Sequence, residues 1–532
     1  MKRTDSFWHF TSSVAIVVAC HAPSTRGQGV LLRWDGDHSA DGLGSSISAL
    51  PDVTADGVPE ILVGVINDDC GGTDFGGSYV YSGKDGTTSF VECGTGIKDV
   101  GEGFGRSVSG VVDVDGDGTA DWIVGGYGYI SSLGAGTGRV CVYLGKSGAF
   151  LYQVEGEQIG NGFGWSVAGL GDVDGDGRGD FVACAPYFSN TTPSNIGRAY
   201  VFSGATGTRI RFHEGEHEYD LFGWNCAGLG DVDADGVPDY AVMAVLNFSI
   251  GAVGAVYVYS GASGNALYKW TGDSATFNFG YGLEGHLDWN GDGYGDVLVG
   301  APGGLSTDGD VFIYSGKDGT TLANVKGEDA GVQFGYSIAN VGDMDGDGYA
   351  EILVGEPLNS ELDTFSGRAT LLSGRTLRRL YHFYGAGVSD VMFGLRVAGG
   401  QDYNGDGIPD VLISEPWPNS QGPIGGRVTL FAGNDLFLQA IPNSVTANDT
   451  IRISTRGGPP GVLSVLVITG VNGAPYFLPI KVDTLDANGE MGMKTTVPSG
   501  LAGATVTLQS FAQHAAGKKG YIDSDRETVT IH

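Results

Sequence analysis

The stretch FGRSVSGVVDVDGDGTAD, residues 104–121, decides the fold. An aromatic–glycine pair opens it. A short apolar-alternating run follows, then acids at 113, 115, 117 and 121 around Gly118. The same pattern occurs seven times. Its opening pair is Phe104-Gly105, Phe163-Gly164, Phe222-Gly223, Phe279-Gly280, Phe334-Gly335 and Phe393-Gly394, with Leu43-Gly44 as a variant. Nine residues after each Phe, or after Leu43, stands an acid: Asp52, Asp113, Asp172, Asp231, Asp288, Asp343 and Asp402. Successive acids are 61, 59, 59, 57, 55 and 59 residues apart. Internal periods of this size mark repeat architectures.

Outward from that core, each unit carries four short runs with strand character. After the acidic loop comes an apolar run such as Val297-Leu298-Val299-Gly300-Ala301-Pro302. A Gly/polar loop leads to an alternating run such as Val256-Tyr257-Val258-Tyr259. A fourth, Ala266-Leu267-Tyr268-Lys269-Trp270 in one unit, precedes the next Phe-Gly. Alternation of period two with β-branched and aromatic residues predicts strands. No segment holds a helical period over ten residues. Four strands repeated seven times predict an all-β, seven-bladed β-propeller over residues 29–434. Val30-Leu31-Leu32-Arg33-Trp34-Asp35-Gly36 matches a fourth-strand pattern before any complete repeat. The last repeat lacks its fourth strand, so this segment is expected to close the ring.

The loops read Asp-x-Asp-x-Asp-Gly-x-x-Asp. Acids at positions 1, 3, 5 and 9 converge when the chain turns at the position-6 Gly, and the position-7 carbonyl faces inward. With a water, six to eight oxygens suit calcium, whereas magnesium demands a tighter octahedron. The seven ligand sets, with the position-7 carbonyl residue fourth, are as follows. Blade one has Asp52, Thr54, Asp56, Val58 and Glu60; blade two has Asp113, Asp115, Asp117, Thr119 and Asp121. Blade three has Asp172, Asp174, Asp176, Arg178 and Asp180; blade four has Asp231, Asp233, Asp235, Val237 and Asp239. Blade five has Asp288, Asn290, Asp292, Tyr294 and Asp296; blade six has Asp343, Asp345, Asp347, Tyr349 and Glu351. Blade seven has Asp402, Asn404, Asp406, Ile408 and Asp410. An EF-hand would place Glu at position 12 between helices. A plain Asp-Gly turn needs no metal, but seven loops that keep acids at positions 1, 5 and 9 argue for up to seven calcium ions. Blade one, with Thr54 at position 3, is expected to be the weakest site.

Composition agrees. The chain has 532 residues, 29 Lys+Arg, 62 Asp+Glu and a formal charge of −33. Twenty-five acids lie in the loops, and clustered carboxylates repel unless a cation compensates. Seven divalent ions would bring the charge to −19. The 94 Gly and 18 Pro oppose an all-helical fold, and 41% hydrophobic residues oppose disorder. No basic footprint for nucleic acid exists.

Phe-Gly, a Gly-Ala-Pro-like turn and the Asp-x-Asp-x-Asp-Gly-x-x-Asp loop together resemble FG-GAP repeats. These build the N-terminal β-propeller of integrin α chains and of many bacterial extracellular proteins. The turn is carried by Ala301-Pro302, Ala185-Pro186, Glu356-Pro357 and Glu415-Pro416; Val65, Gly126 and Ala244 depart from it. The resemblance implies calcium at each matching loop and a propeller used for binding. In integrins only some blades bind calcium. It also implies that aromatics on the face opposite the calcium loops cage a basic side chain of a partner. Tyr127, Tyr129, Tyr187, Phe188, Phe248, Trp417, Trp165, Trp224, Tyr281 and Tyr336 fall on that face. Packing between blades is the simpler reading of these aromatics.

Lys2-Arg3 before the apolar stretch Phe7–Val18 reads as a secretory signal peptide within residues 1–28. Val17-Val18-Ala19-Cys20 resembles a lipobox that would lipidate Cys20; ordinary cleavage after Ala19 or Ala22 is the alternative. No other run reaches the ~20 apolar residues of a spanning helix. A secreted or envelope location is therefore expected. Cys70 and Cys93 flank one hairpin and are the disulfide candidates; Cys141, Cys184 and Cys226 read as buried thiols. Residues 435–532 lack the repeat. Ile451–Ile453, Val462–Ile468, Thr505–Leu508 and Thr528–Ile531 read as strands of an immunoglobulin-like sandwich, and Asp486–Gly489 as a hairpin turn.

The functional expectation is a non-enzymatic binding or adhesion module for an extracellular protein or glycan. Two alternatives are a polysaccharide lyase or hydrolase, with His213, His217 and Tyr219 as base candidates, and a structural envelope protein. No nucleophile elbow or phosphate loop is present. Arg178-Gly179-Asp180 spells an adhesion tripeptide, but Asp180 is a predicted metal ligand.

Overall fold

The computed structural model describes residues 29–433 apart from short loop segments, and between 437 and 531 the backbone of strands alone. Seven four-stranded antiparallel sheets follow one another along the chain. Blade two shows the plan: Phe104–Val111, Asp121–Gly126, Arg139–Tyr143 and Phe150–Glu155, each hydrogen-bonded to the next. The second and third strands of blade two are wholly buried, as continuous apolar runs require, while the fourth is half-exposed and reads polar–apolar.

Ring closure follows the expectation. The strand Val30–Asp35 pairs antiparallel with Arg427–Phe431, making it the outermost strand of blade seven. Trp34 locks this joint. Its ring is 7% exposed, stacks on Tyr81 of blade one at 5.1 Å, and its Nε1–H donates to Gly86 O at 2.8 Å.

The apolar core lies between blades. Each of the seven interfaces has its own buried cluster, including one joining Trp34, Leu412, Val428 and Leu430 to Leu43, Ile61 and Val63. The Phe of each Phe-Gly pair sits in such an interface, at most 2% exposed, with Leu43 at 3%. Its backbone bridges the preceding blade, as Phe163 does to Gly138 and Phe222 to Gly197. The following glycine has no alternative: at φ +87° Gly164 would drive a Cβ into Arg139 O.

Cys70 and Cys93 form a disulfide, with Cα atoms 5.6 Å apart, pinning a blade-one loop to its fourth strand. Cys141, Cys184 and Cys226 are buried thiols. Four buried or half-buried arginines at the starts of third strands join strands and loops. Arg139 meets Glu102 and Arg368 meets Glu356, both at 2.6 Å; Arg198 pairs with Glu157 and Glu214; Arg427 meets Glu415 at 3.1 Å. Sequence patterning gave no sign of these pairs.

Beyond residue 436 the strands form a three-stranded sheet and a larger sheet, antiparallel except for Ser444–Val445 beside Glu527–Ile531. Thr450–Arg456, Leu463–Val471 and Thr505–Gln513 fall where strands were expected. Ala474–Thr484 and Met491–Thr496 were not anticipated. Residues 1–28, where a signal peptide and Cys20 lipidation were expected, Phe248, Asp345, Val462 and residues 486–489, where a hairpin turn was expected, lie outside the described residues. No helix among the described residues is long and apolar enough to cross a membrane.

Candidate metal centres and the opposite rim

Each acidic loop joins the first strand of a blade to its second. Position 6 is left-handed in all seven: Gly57, Gly118, Gly177, Gly236, Gly293, Gly348 and Gly407 have φ between 83° and 91°. Position 4 is left-handed too, at Ala55, Gly116, Gly175, Ala234, Gly291 and Gly405, which the ligand pattern did not disclose. Two reversed residues wind the loop into a coil. The position-1 carboxylate sits at its axis and accepts the N–H groups of positions 5 and 6 in every blade. The position-5 carboxylate caps the N–H of position 7.

Position 9 does more than the spacing suggested. Glu60, Asp121, Asp180, Asp239, Asp296, Glu351 and Asp410 are at most 1% exposed. One oxygen accepts the position-2 N–H at 2.6–2.9 Å. In blades two to seven the other accepts an N–H from Gly145, Gly204, Gly261, Gly316, Gly374 or Gly433, at 2.7–3.3 Å. This acid therefore ties the acidic loop to the end of the third strand. In blade one the Thr54 hydroxyl takes the second Glu60 oxygen at 2.6 Å.

Carboxylate oxygens converge within 4.8 Å of one another in four blades: Asp52, Asp56 and Glu60; Asp113, Asp115 and Asp121; Asp172, Asp174 and Asp180; Asp231, Asp233 and Asp239. Blades five and seven substitute the amides Asn290 and Asn404 at position 3, and Asp345 of blade six is outside the described residues. Burial, with neighbouring loop acids adding, pushes Asp121, Asp180 and Asp239 up to about 6 and Asp410 up to about 7. Buried carboxylates facing only like charges and N–H donors fit an oxygen-seeking divalent cation. Nearby cations are few. Lys84, Lys146 and Lys317 approach the position-5 acids Asp56, Asp117 and Asp292 at 3.5–3.8 Å, and Arg178 approaches Asp113 at 3.8 Å. The adhesion tripeptide is thus committed: Asp180 is fully buried and holds Val173 N and Gly204 N.

The first strands begin at the other end of the ring. The residues after Phe-Gly, or Leu-Gly, are Ser45, Arg106, Trp165, Trp224, Tyr281, Tyr336 and Leu395. Trp165 and Trp224 lie 4.8 Å apart, Tyr127 and Tyr187 meet Trp165 edge-on at 5.0 and 5.5 Å, and Tyr281 meets Tyr336 at 5.4 Å. These aromatics pack on one another, Trp224 and Tyr281 also against the interface of blades four and five, and a guanidinium of this chain covers one of them: Arg106 Cζ lies 4.2 Å over the Trp165 ring. Phe188 packs under Arg198 at 3.6 Å, and Tyr129 under Arg139 at 4.4 Å. Trp417 remains 46% exposed.

The residues singled out as bases do not converge. His213 stacks on Tyr259 at 3.8 Å with a ring nitrogen 2.7 Å from Tyr240 Oη, and burial lowers it to about 4. His217 is exposed beside Asp220 at 3.5 Å, and Tyr219 is a separate exposed side chain.

Comparison with known proteins agrees with this geometry. The FG-GAP repeat family matches residues 163–202, 334–372 and 393–431. Integrin alpha-V of Gallus gallus is 30% identical over 200 residues, covering 35% of this chain and 19% of that protein. Integrin alpha-5 of Xenopus laevis is 32% identical over 235 residues, covering 40% of this chain and 21% of that protein. Integrin alpha-PS2 of Drosophila melanogaster is 34% identical over 227 residues, covering 38% and 15%. The chain thus spans about a fifth or less of the length of these relatives.

Proposed function

Because the chain is an FG-GAP repeat protein folded as a seven-bladed propeller, we propose that it is a calcium-stabilised, non-enzymatic binding module that acts outside the cytoplasm. Its ligand is an extracellular protein, docked on the rim opposite the acidic loops. The observation that carries this reading is the contrast between the two ends of the first strands. One end repeats the same carboxylate coil in every blade, and the other presents five kinds of side chain across the seven blades. Uniform loops serve the scaffold; varied loops on a rigid frame serve recognition. Similarity to three integrin alpha chains supports a protein ligand.

Calcium would be held by the position 1, 3, 5 and 9 side chains, Asp172, Asp174, Asp176 and Asp180 in blade three. It would neutralise the buried carboxylate that ties two turns together. The leader at residues 1–28, lipidation at Cys20 and a β-sandwich at 435–532 belong to the same proposal. The enzyme alternative lacks support at its best candidate, since His213 is engaged in packing.

The test is retention. Immobilised protein is exposed to extracellular protein extract and to soluble polysaccharides, with calcium and then with chelator. Protein retained with calcium, released by chelator and lost in the Tyr187→Ala/Trp417→Ala variant supports the reading. Retention that survives that variant moves the ligand off this rim.

A further inference from the structure

The arc of four aromatics in blades three to six is flanked by two arginines. Arg106 of blade two lies against Trp165, and Arg396 of blade seven lies 5.8 Å from the Tyr336 ring. Between them stands blade one with only Ser45, whose carbonyl accepts from Arg396 Nε at 3.2 Å. The two guanidiniums thus face a notch in the ring.

Most arginines with described side chains are ion-paired, while Arg211, on Ser260 O, and Arg375, over Tyr349, show no ion pair among the described residues. Arg33, Arg139, Arg178, Arg198, Arg209, Arg368, Arg379 and Arg427 all meet a carboxylate. Arg106 and Arg396 meet none among the described residues. Arg106 is half-buried against Trp165, and that burial together with the neighbouring Arg396 lowers its pKa, so the charge sits beside a like charge. A half-buried charge without a counter-ion is costly. The Trp165 indole N–H in the same arc is buried without an acceptor. A chain with 62 acids that leaves two arginines together without one has shaped a place for an external anion.

We propose that this notch binds the side-chain carboxylate of a protein partner, gripped between Arg106 and Arg396, with an adjoining apolar group of that partner on the aromatic arc. The inference rests on the reading of this rim as the docking face and gives its partner's chemistry. It reverses the sign of the resemblance, in which a partner's basic group fills the cage. Guanidinium groups form charge-assisted, often bidentate bonds to carboxylate, and stacking on Trp165 preserves their in-plane donors. The acidic body of the molecule opposes polyanions such as nucleic acid or sulfated glycan, leaving a single carboxylate in apolar surroundings as the favoured anion.

The experiment uses the full calcium-loaded chain and two probes, N-acetyl-Phe-Glu-amide and N-acetyl-Phe-Gln-amide, titrated by calorimetry. The glutamyl probe is expected to bind at least tenfold more tightly. Arg106→Gln/Arg396→Gln should abolish that preference with an unchanged melting curve; either single variant should reduce it, and serves if the double variant does not fold. Equal binding of the two probes, no binding of either, or a preference that survives the double variant overturns the proposal. An oligogalacturonate that binds tenfold better than the glutamyl probe, and depends on both arginines, overturns the assignment to a protein. Where retention of extracellular protein persists unchanged in the double variant, the notch fails while the docking-face reading stands.

Discussion

The two ends of the same seven inner strands obey different rules. At one end the coil is nearly invariant. Asp113 and Asp172 accept equivalent N–H groups, and Asp121 and Asp180 reach equivalent glycines. At the other end the residues after the Phe-Gly or Leu-Gly pair run from Ser45 through Arg106 and Trp165 to Leu395. The first end contains buried carboxylates that need an external cation. The second contains Arg106 and Arg396 against Trp165 and Tyr336, where an external anion is proposed. A repeat thus fixes the scaffold through identical local chemistry at one end, while the other end varies even where, as at Trp224 and Tyr281, it packs against the blade interface.

Calcium removal should break the comparison most severely. Each saturated site at a hundredfold over its Kd adds roughly 2.7 kcal/mol. Several such sites predict that chelator lowers the calorimetric melting midpoint by about 10 °C or more. Next is the closing strand. Trp34→Ala removes a buried ring and its bond to Gly86, and should cost about 3–5 kcal/mol by denaturant titration. Asp239→Asn weakens the tie from the loop to Gly261 and Val232; it should cost about 2–3 kcal/mol and remove one bound calcium, read by metal analysis.

Acidity should separate the faces more gently. Asp121, Asp180 and Asp239 are held near 6 and Asp410 near 7, above their unfolded values. Without calcium, their protonation favours the folded state fully below about pH 4, and that contribution is lost as pH rises through 6 to 7. Calcium must displace the same protons. Its stabilising increment should therefore be largest at pH 8 and shrink toward pH 5, measured as the melting shift on calcium addition. Smallest of all, Trp417→Ala on the exposed rim should change stability by no more than about 0.5 kcal/mol, while Tyr187→Ala/Trp417→Ala abolishes ligand retention.

The repeat made most of the scaffold legible. Phe-Gly marks a position where the aromatic must be buried between blades and the glycine must be left-handed, so Phe163-Gly164 can hardly vary. Val30–Asp35 was recognisable as a closing strand because its pattern matches a fourth strand with no blade of its own. Glu60, Asp121 and their equivalents were legible as acids in a loop, but not as ties between two turns, because Gly145 lies 24 residues from Asp121. Arg106 was passed over for a related reason. A single arginine after Phe-Gly carries no pattern; its meaning comes from Trp165 and Arg396, far away in sequence. The buried pair of Glu102 and Arg139 is likewise joined only in space.

The central claim is that the repeated acidic coils are calcium sites that hold the ring. Native mass spectrometry of the full chain, after exchange into calcium and then into chelator, counts the ions directly. The account predicts several bound calcium ions, at most seven, all released by chelator with the melting midpoint lowered by about 10 °C or more. A chain that carries no calcium, and melts identically in both buffers, would contradict it.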